Sequence, residues 1–185
     1  MSLAHCRHYL AIPGPSVMPD RVLQAMHRPA PNIYTGELVE LAASLVPALK
    51  AVARTDGHVA MYIANGHGVW EAALSNVLSR GDKVLVLVTG RYGAGWGEIA
   101  KALGAETQNL DFGTTSGVDG ARLQEVLAAD TGHQIKAVLT VQVDTATSVK
   151  NDIAAIRTAL DTVQHPALLL CDNIACLACD AFEMD

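Results

Sequence analysis

The sequence predicts an α/β fold built on a mostly parallel, doubly wound sheet, and three observations predict it. First, segments 83–88, 135–143 and 166–171 hold apolar runs too continuous for half-exposed strands and too short for helices. Second, the stretches between them carry apolar residues at helical spacing: Trp96, Ile99, Ala100 and Leu103, then Leu123, Val126 and Leu127, then Ile153, Ile156, Leu160 and Val163. Third, the run from Ala167 to Cys171 reads as a strand buried on both faces and ends in a carboxylate, Asp172. Regular alternation of strand and helix implies parallel strands joined by right-handed crossovers. In such sheets ligands bind outside the carboxyl ends of the strands, where Asp172 stands.

Taken in order, residues 1–35 read as an N-terminal arm and 36–185 as the large domain. Six of the seven prolines occur by Pro47. Pro13-Gly14-Pro15-Ser16 excludes helix and predicts a rigid extended turn. A short helix follows, with Pro19 near its first turn and Val22, Leu23 and Met26 on one side. His27-Arg28-Pro29-Ala30-Pro31 ends it. Leu38, Leu41, Leu45, Leu49 and Val52 then form a helical stripe that Pro47 is expected to kink. Residues 58–64 are expected to form a strand, Asn65-Gly66-His67-Gly68 its exit turn, and 69–80 a helix. Gly81-Asp82 turns into the strand at 83–88. Thr89-Gly90 leads into the helix bearing Trp96, which Gly104 stops. Residues 107–112 are a weaker strand, placed at an edge, and Asp119 caps the next helix. The strand at 135–143, a loop to Asn151 and one more helix lead to the strand at 166–171.

Composition narrows the function classes. A length of 185 residues suits one domain with a real core. Half the residues are hydrophobic and only 4% aromatic, a soluble globular composition. The net charge of −6 speaks against a general nucleic-acid binder. No apolar run approaches the ~20 residues of a membrane span, and the N-terminus lacks a signal-peptide core. A cytoplasmic protein without nucleic-acid or membrane partners is expected. Cys6, Cys171, Cys176 and Cys179 do not make a disulfide framework at this size. The CxxC at 176–179 lacks two further zinc ligands and does not open a helix after the first strands, where a redox motif belongs. These cysteines are read as small buried residues near Asp172, and no metal is expected.

Several groups collect at the strand ends. Asn65-Gly66-His67-Gly68 lets backbone approach an anion, and the helix that follows offers unpaired N–H groups at its positive end. It matches neither a P-loop nor a full dinucleotide fingerprint, and a plain glycine-rich turn is the alternative. Tyr92, between Gly90 and Gly93, has room for a flat ligand over its ring, or packs at a helix start. Thr145, Thr147 and Ser148 supply hydroxyls that bind a ligand oxygen or satisfy the loop. Asp172 needs a cation or strong donors to stay ionised while partly buried, or it caps a turn. Together they fit a flat, phosphorylated, cationic heterocycle, a description that pyridoxal 5'-phosphate meets.

In order and spacing, Pro13-Gly14-Pro15, Asn65-Gly66-His67-Gly68-Val69-Trp70-Glu71, Thr89-Gly90-Arg91-Tyr92-Gly93, Asp144-Thr145-Ala146-Thr147 and Asp172-Asn173-Ile174-Ala175 resemble the class V aminotransferases. The nearest branch is that of alanine–glyoxylate and serine–glyoxylate aminotransferases, and the resemblance covers nearly the whole chain. It implies the fold type I architecture of aspartate aminotransferase, pyridoxal 5'-phosphate as cofactor, a small amino acid and a 2-oxo acid as substrates, and a homodimer. It also implies that Gly66 and His67, with Asn65 beside them, hold the phosphate and that Tyr92 stacks on the ring. Thr145 meets the phenolic oxygen, Asp172 pairs with the ring nitrogen as the catalytic carboxylate, and Ile174 packs beneath the ring.

The sequence departs from that pattern in places. The family often has Ser or Thr at Asn65, Gly at Ser148 and Ser at Cys176. Its Schiff-base lysine lies downstream of the Asp172 strand, whereas Lys50, Lys83, Lys101, Lys136 and Lys150 all precede it. The chain is therefore expected to be the N-terminal part of a longer enzyme, inactive in transamination by itself. The resemblance further implies that residues 59–64 do not pair with 84–89, which leaves open edges and a chain not independently stable. Two other readings remain: another fold type I enzyme, a cysteine desulfurase or a lyase, or a non-enzymatic Rossmann-like module for a phosphorylated ligand. The second expects an acid where Thr89 and Gly90 stand.

Overall fold

The computed structural model describes residues 12, 14, 16–180 and 182–184, so Cys6, Pro13 and Pro15 lie outside the described residues. The chain divides into two compact units, 1–49 and 50–185. The first holds α1 (Asp20–Met26) and most of α2 (Glu37–Ala53). Pro19 is the N-cap of α1, and its carbonyl accepts from Val22 N at 2.9 Å. Helix α2 runs through Pro47, and neither helix buries a residue. The stripe of Leu41, Leu45 and Leu49 is consequently exposed.

The second unit continues with α3 (Gly66–Val77), β1 (Lys83–Val88), α4 (Arg91–Ala102), β2 (Glu106–Asp111), α5 (Gly120–Ala129), β3 (Ile135–Val141), α6 (Ile153–Thr162) and β4 (Leu168–Asp172). All four strands are parallel, in the order β2-β1-β3-β4. Strand β1 is apolar from Val84 to Val88 because both its faces are covered. Val84 and Val86 join a core with Trp70, Leu74, Trp96 and Ala100, from α3 and α4. Leu85 and Leu87 join the opposite core with Leu123, Leu127, Ile156 and Leu160, from α5 and α6. Each leucine buried in this way contributes on the order of 2 kcal/mol. Chain order runs outward from β1 to β2, then returns and runs outward from β3 to β4. The switch point, and with it the crevice, lies at the carboxyl ends of β1 and β3.

Two expectations are corrected. Residues 58–64 form no strand, and Met61, Tyr62 and Ile63 are exposed. An extended segment needs a neighbour for its N–H and C=O groups, and β1 already has β2 on one side and β3 on the other. The absence of pairing to β1 or β4 agrees with what the resemblance implies. Strand β4, in turn, is not buried on both faces. It is an edge strand with Leu168 51% exposed and Leu169 to Cys171 half-buried, because the helical cover runs out beyond β3.

Smaller differences have local causes. Helix α3 starts at Gly66 rather than 69 because Asn65 caps it, its side chain accepting from Gly68 N at 3.0 Å. Strand β3 ends at Val141 because Val143 turns to bridge Lys150 in antiparallel sense. As expected, β2 is an edge and Asp119 caps α5, accepting from Ala121 N at 2.9 Å. At the end of the sheet away from the crevice, Asp130 accepts from Ile135 N (2.8 Å) and Gln134 N (3.0 Å) and meets His165 Nε2 at 3.2 Å. Burial opposes its charge, but those donors outweigh it and hold the carboxyl below its ordinary value.

Candidate active site

The crevice is assembled by a carboxylate that the sequence reading left without a role. Asp144, fully buried in the loop after β3, accepts from Tyr92 N (2.8 Å) and Gly93 N (3.3 Å) through Oδ2 and from Ala146 N (2.9 Å) through Oδ1. It sits at the amino end of α4, where the helix dipole favours negative charge. Gly90 is required there, since a Cβ would fall 2.4 Å from the Asp144 carboxyl carbon. Buried Asn151 ties the same loops together, donating to Thr89 Oγ1 (2.9 Å) and to the Val141 carbonyl (2.7 Å). Thr147 Oγ1 donates to the Thr89 carbonyl at 3.1 Å. Tyr92, in the first turn of α4 after β1, and the Thr145 loop, after β3, are thereby held as one rim.

Ser148 lies in this loop with φ +60°, and its N–H donates to the Asp144 carbonyl at 2.8 Å. The left-handed conformation costs a residue with a Cβ roughly 1–2 kcal/mol, part of which glycine returns through its looser unfolded state. Ser148→Gly is expected to stabilise the fold by about 0.5–1 kcal/mol. Thermal unfolding checks this, and an unchanged or lower midpoint would show that the loop bears no strain.

Asp172 closes the other side of the crevice. It is 9% exposed; Oδ2 accepts from Trp70 Nε1 at 2.8 Å and Oδ1 from Ile174 N at 2.7 Å. Trp70 is itself fixed by stacking on Trp96, with ring centroids 5.4 Å apart and planes 13° apart. Its ring meets His67 edge-on at 4.7 Å and Tyr92 at 6.5 Å. One indole thus touches three residues that the sequence proposes for cofactor binding. The sequence reading gave Trp70 no role, although two signals marked it. Its position three residues after His67 puts both on one helix face, and a buried indole N–H needs an acceptor.

Gly66 and Ile174 come together as well. A Cβ on Gly66 would lie 3.1 Å from Ile174 Cδ1. Asn65 and His67 are exposed at the start of α3, Tyr92 is half-buried, and Thr145 and Ile174 are exposed on the rim. The expectation for the cysteines holds only in part. Cys176 is buried, with Sγ 3.1 Å from Gln142 Oε1. Cys171 is half-buried, its thiol pushed up to about 12 by burial and by the neighbouring Asp172 and Cys176. Cys179 is exposed, because the turn after Cys176 carries it outward.

Against known proteins, this chain is 38% identical over 182 residues to a serine–glyoxylate aminotransferase of Methylorubrum extorquens, covering 97% of the chain and 45% of that protein. It is 36% identical over 178 residues to an L-aspartate–glyoxylate aminotransferase of Paracoccus denitrificans, covering 94% and 44%. Over nearly its whole length the chain is similar to glyoxylate aminotransferases. It spans about half the length of the curated relatives it matches, over the N-terminal part of the family. No family model matches it. Among solved structures, a Thermus thermophilus aspartate aminotransferase of subgroup IV superposes with a TM-score of 0.84 at 23% identity, covering 96% of this chain and 49% of that one. A ureidoglycine–glyoxylate aminotransferase from Bacillus subtilis gives 0.81 at 24% identity, covering 92% and 43%. The chain therefore has the fold type I architecture expected from its motifs.

Proposed function

We propose that the protein to which this chain belongs is a pyridoxal 5'-phosphate-dependent aminotransferase. It moves an amino group from a small amino acid, alanine or serine, to glyoxylate or a similar 2-oxo acid. The glyoxylate aminotransferases among its relatives support the reaction class. The observation that carries the cofactor reading is Asp172, a buried carboxylate at a strand end whose two donors, the Trp70 indole and the Ile174 amide, are both neutral. Such a carboxylate is suited to a cationic partner. The close approach of Gly66 to Ile174, which a side chain at 66 would obstruct, fits a phosphate on one end of the same ligand.

When bound, the cofactor supplies an electron sink for charge released at the substrate's alpha carbon. The residues of this chain hold it ready. Asp172 keeps a proton on the ring nitrogen, while Trp70 and the Ile174 amide hold the carboxylate in place. Gly66, His67 and the Asn65-capped start of α3 present N–H groups to the phosphate. Tyr92 offers a plate for the ring, Thr145 a hydroxyl for the phenolic oxygen, and Ile174 apolar support from below. The family's lysine is expected to follow the Asp172 strand. A homodimer is part of the proposal, and the exposed stripe of Leu41, Leu45 and Leu49 supports it as a face for a second copy.

The test is turnover by the protein at the full length of its relatives, with serine, alanine and aspartate each offered against glyoxylate. Glycine is the expected product. Sulfide release from cysteine without glycine formation would favour a desulfurase instead. On the cofactor side, Tyr92→Ala is expected to weaken retention about fivefold, the equivalent of roughly 1 kcal/mol of lost ring contact. Gly66→Val is expected to weaken it more, through collision with Ile174 and obstruction of the amides. Equilibrium dialysis measures both, and unchanged retention in the Gly66 variant would move the phosphate site elsewhere.

A further inference from the structure

Cys176-Leu177-Ala178-Cys179 has no part in the site above, yet its backbone is arranged for chemistry of its own. Cys179 N donates to the Cys176 carbonyl at 2.8 Å, and Ala178 takes φ +65°. A four-residue turn closed in this way brings its end Cα atoms within about 7 Å, and disulfides span Cα separations of roughly 4.4–6.8 Å. Cys179 is exposed and lines an open cavity of about 440 Å³ beside Arg54 and Asp180, so a small reagent can reach it. Cys176 is buried against Gln142 Oε1, which also accepts from Asn173 Nδ2 and so keeps a partner if the sulfur leaves.

We propose that Cys176 and Cys179 form a reversible disulfide, a redox-modification site four residues beyond Asp172, with Cys179 as the attacking thiol and Cys176 as the resolving one. The oxidant is a small-molecule disulfide such as oxidised glutathione. The Cys179 thiolate attacks one of its sulfurs, its S–S bond breaks, and one glutathione leaves as thiolate from a mixed disulfide. The Cys176 thiolate then attacks Cys179 Sγ and displaces the second glutathione. Two cysteine thiols are oxidised, one disulfide is reduced to two thiols, and the two cysteine protons pass to the departing thiolates. The order follows from access, since burial pushes the Cys176 and Cys171 thiols upward and away from the reactive form. Closure draws the Cys176 sulfur from Gln142, whose amide meets Asn173, the residue after Asp172.

The reduced full-length protein is equilibrated with mixtures of reduced and oxidised glutathione, trapped with acid and mapped by mass spectrometry. The peptide holding both cysteines is expected to lose two hydrogens and carry no glutathione. The equilibrium should lie about tenfold further toward this disulfide in buffer than in concentrated urea, because the turn holds the pair together. Cys176→Ser should accumulate a Cys179–glutathione adduct, and Cys179→Ser should leave Cys176 unmodified. A bond to Cys171 or Cys6, a lasting adduct with Cys176 still reduced, or equal equilibria with and without urea would each overturn the proposal.

Discussion

Asp172→Asn is expected to reduce amino transfer in the full-length protein by roughly a hundred- to several thousandfold while the fold survives. The substitution leaves a cofactor cation without its buried counter-charge, a loss of about 3–5 kcal/mol when one member of such a pair is removed. The asparagine oxygen can still accept from either the Trp70 indole or the Ile174 amide, so one of the two bonds at 2.8 and 2.7 Å is kept. Turnover and thermal unfolding, measured on the same variant, separate the two consequences. Trp70→Phe is the companion, since it keeps an aromatic ring against Trp96 while removing the N–H together with the second ring. Its activity should fall less than that of the Asp172 variant. Wild-type turnover with asparagine at 172 would sink the assignment of that residue.

Asp144→Ala is expected to be the most destabilising single change near the crevice, at about 3 kcal/mol or more. Three N–H groups, of Tyr92, Gly93 and Ala146, lose a charged acceptor at once, and bonds to charged groups contribute about 1.5–3 kcal/mol each. Two of those groups stand in the first turn of α4, so the loss is also that of a helix cap. Asp144→Asn should recover part of the stability through its remaining carbonyl. Urea unfolding of both variants decides this. A loss below about 1 kcal/mol in the alanine variant would mean that the two loops are held together by Asn151 and Thr147 alone.

The sequence conveyed the sheet well wherever a strand had two neighbours. Lys83–Val88 emerges at its observed limits because period-two apolar residues on both faces admit no other placement. Residues 58–64 failed because alternation describes a segment's own faces, not whether a partner exists for its backbone. The same blindness made the edge strand β4 read as fully covered. Of the site, the glycine turn, Tyr92, Thr145, Asp172 and Ile174 were visible as motif residues. Asp144 and Trp70 were not given roles, because both act across the crevice, over 52 and 102 residues of chain. Pairings of that range leave no local periodicity. The outward turn of Cys179 depends on a left-handed alanine at 178, a conformation that composition does not announce.

The stacked indoles also make the chain its own instrument. Trp70 and Trp96 are the only two tryptophans in the sequence, and their rings lie in contact. Every tryptophan photon the chain emits therefore comes from a single spot, where α3 rests on α4 and one indole points its N–H at Asp172. Emission colour and quantum yield follow the local polarity and charge around that spot, not an average over the whole molecule. Separation of the two helices would alter the light even if the rest of the sheet stayed closed. Comparing its unfolding curve with that from far-ultraviolet dichroism would show whether the crevice opens before the strands part.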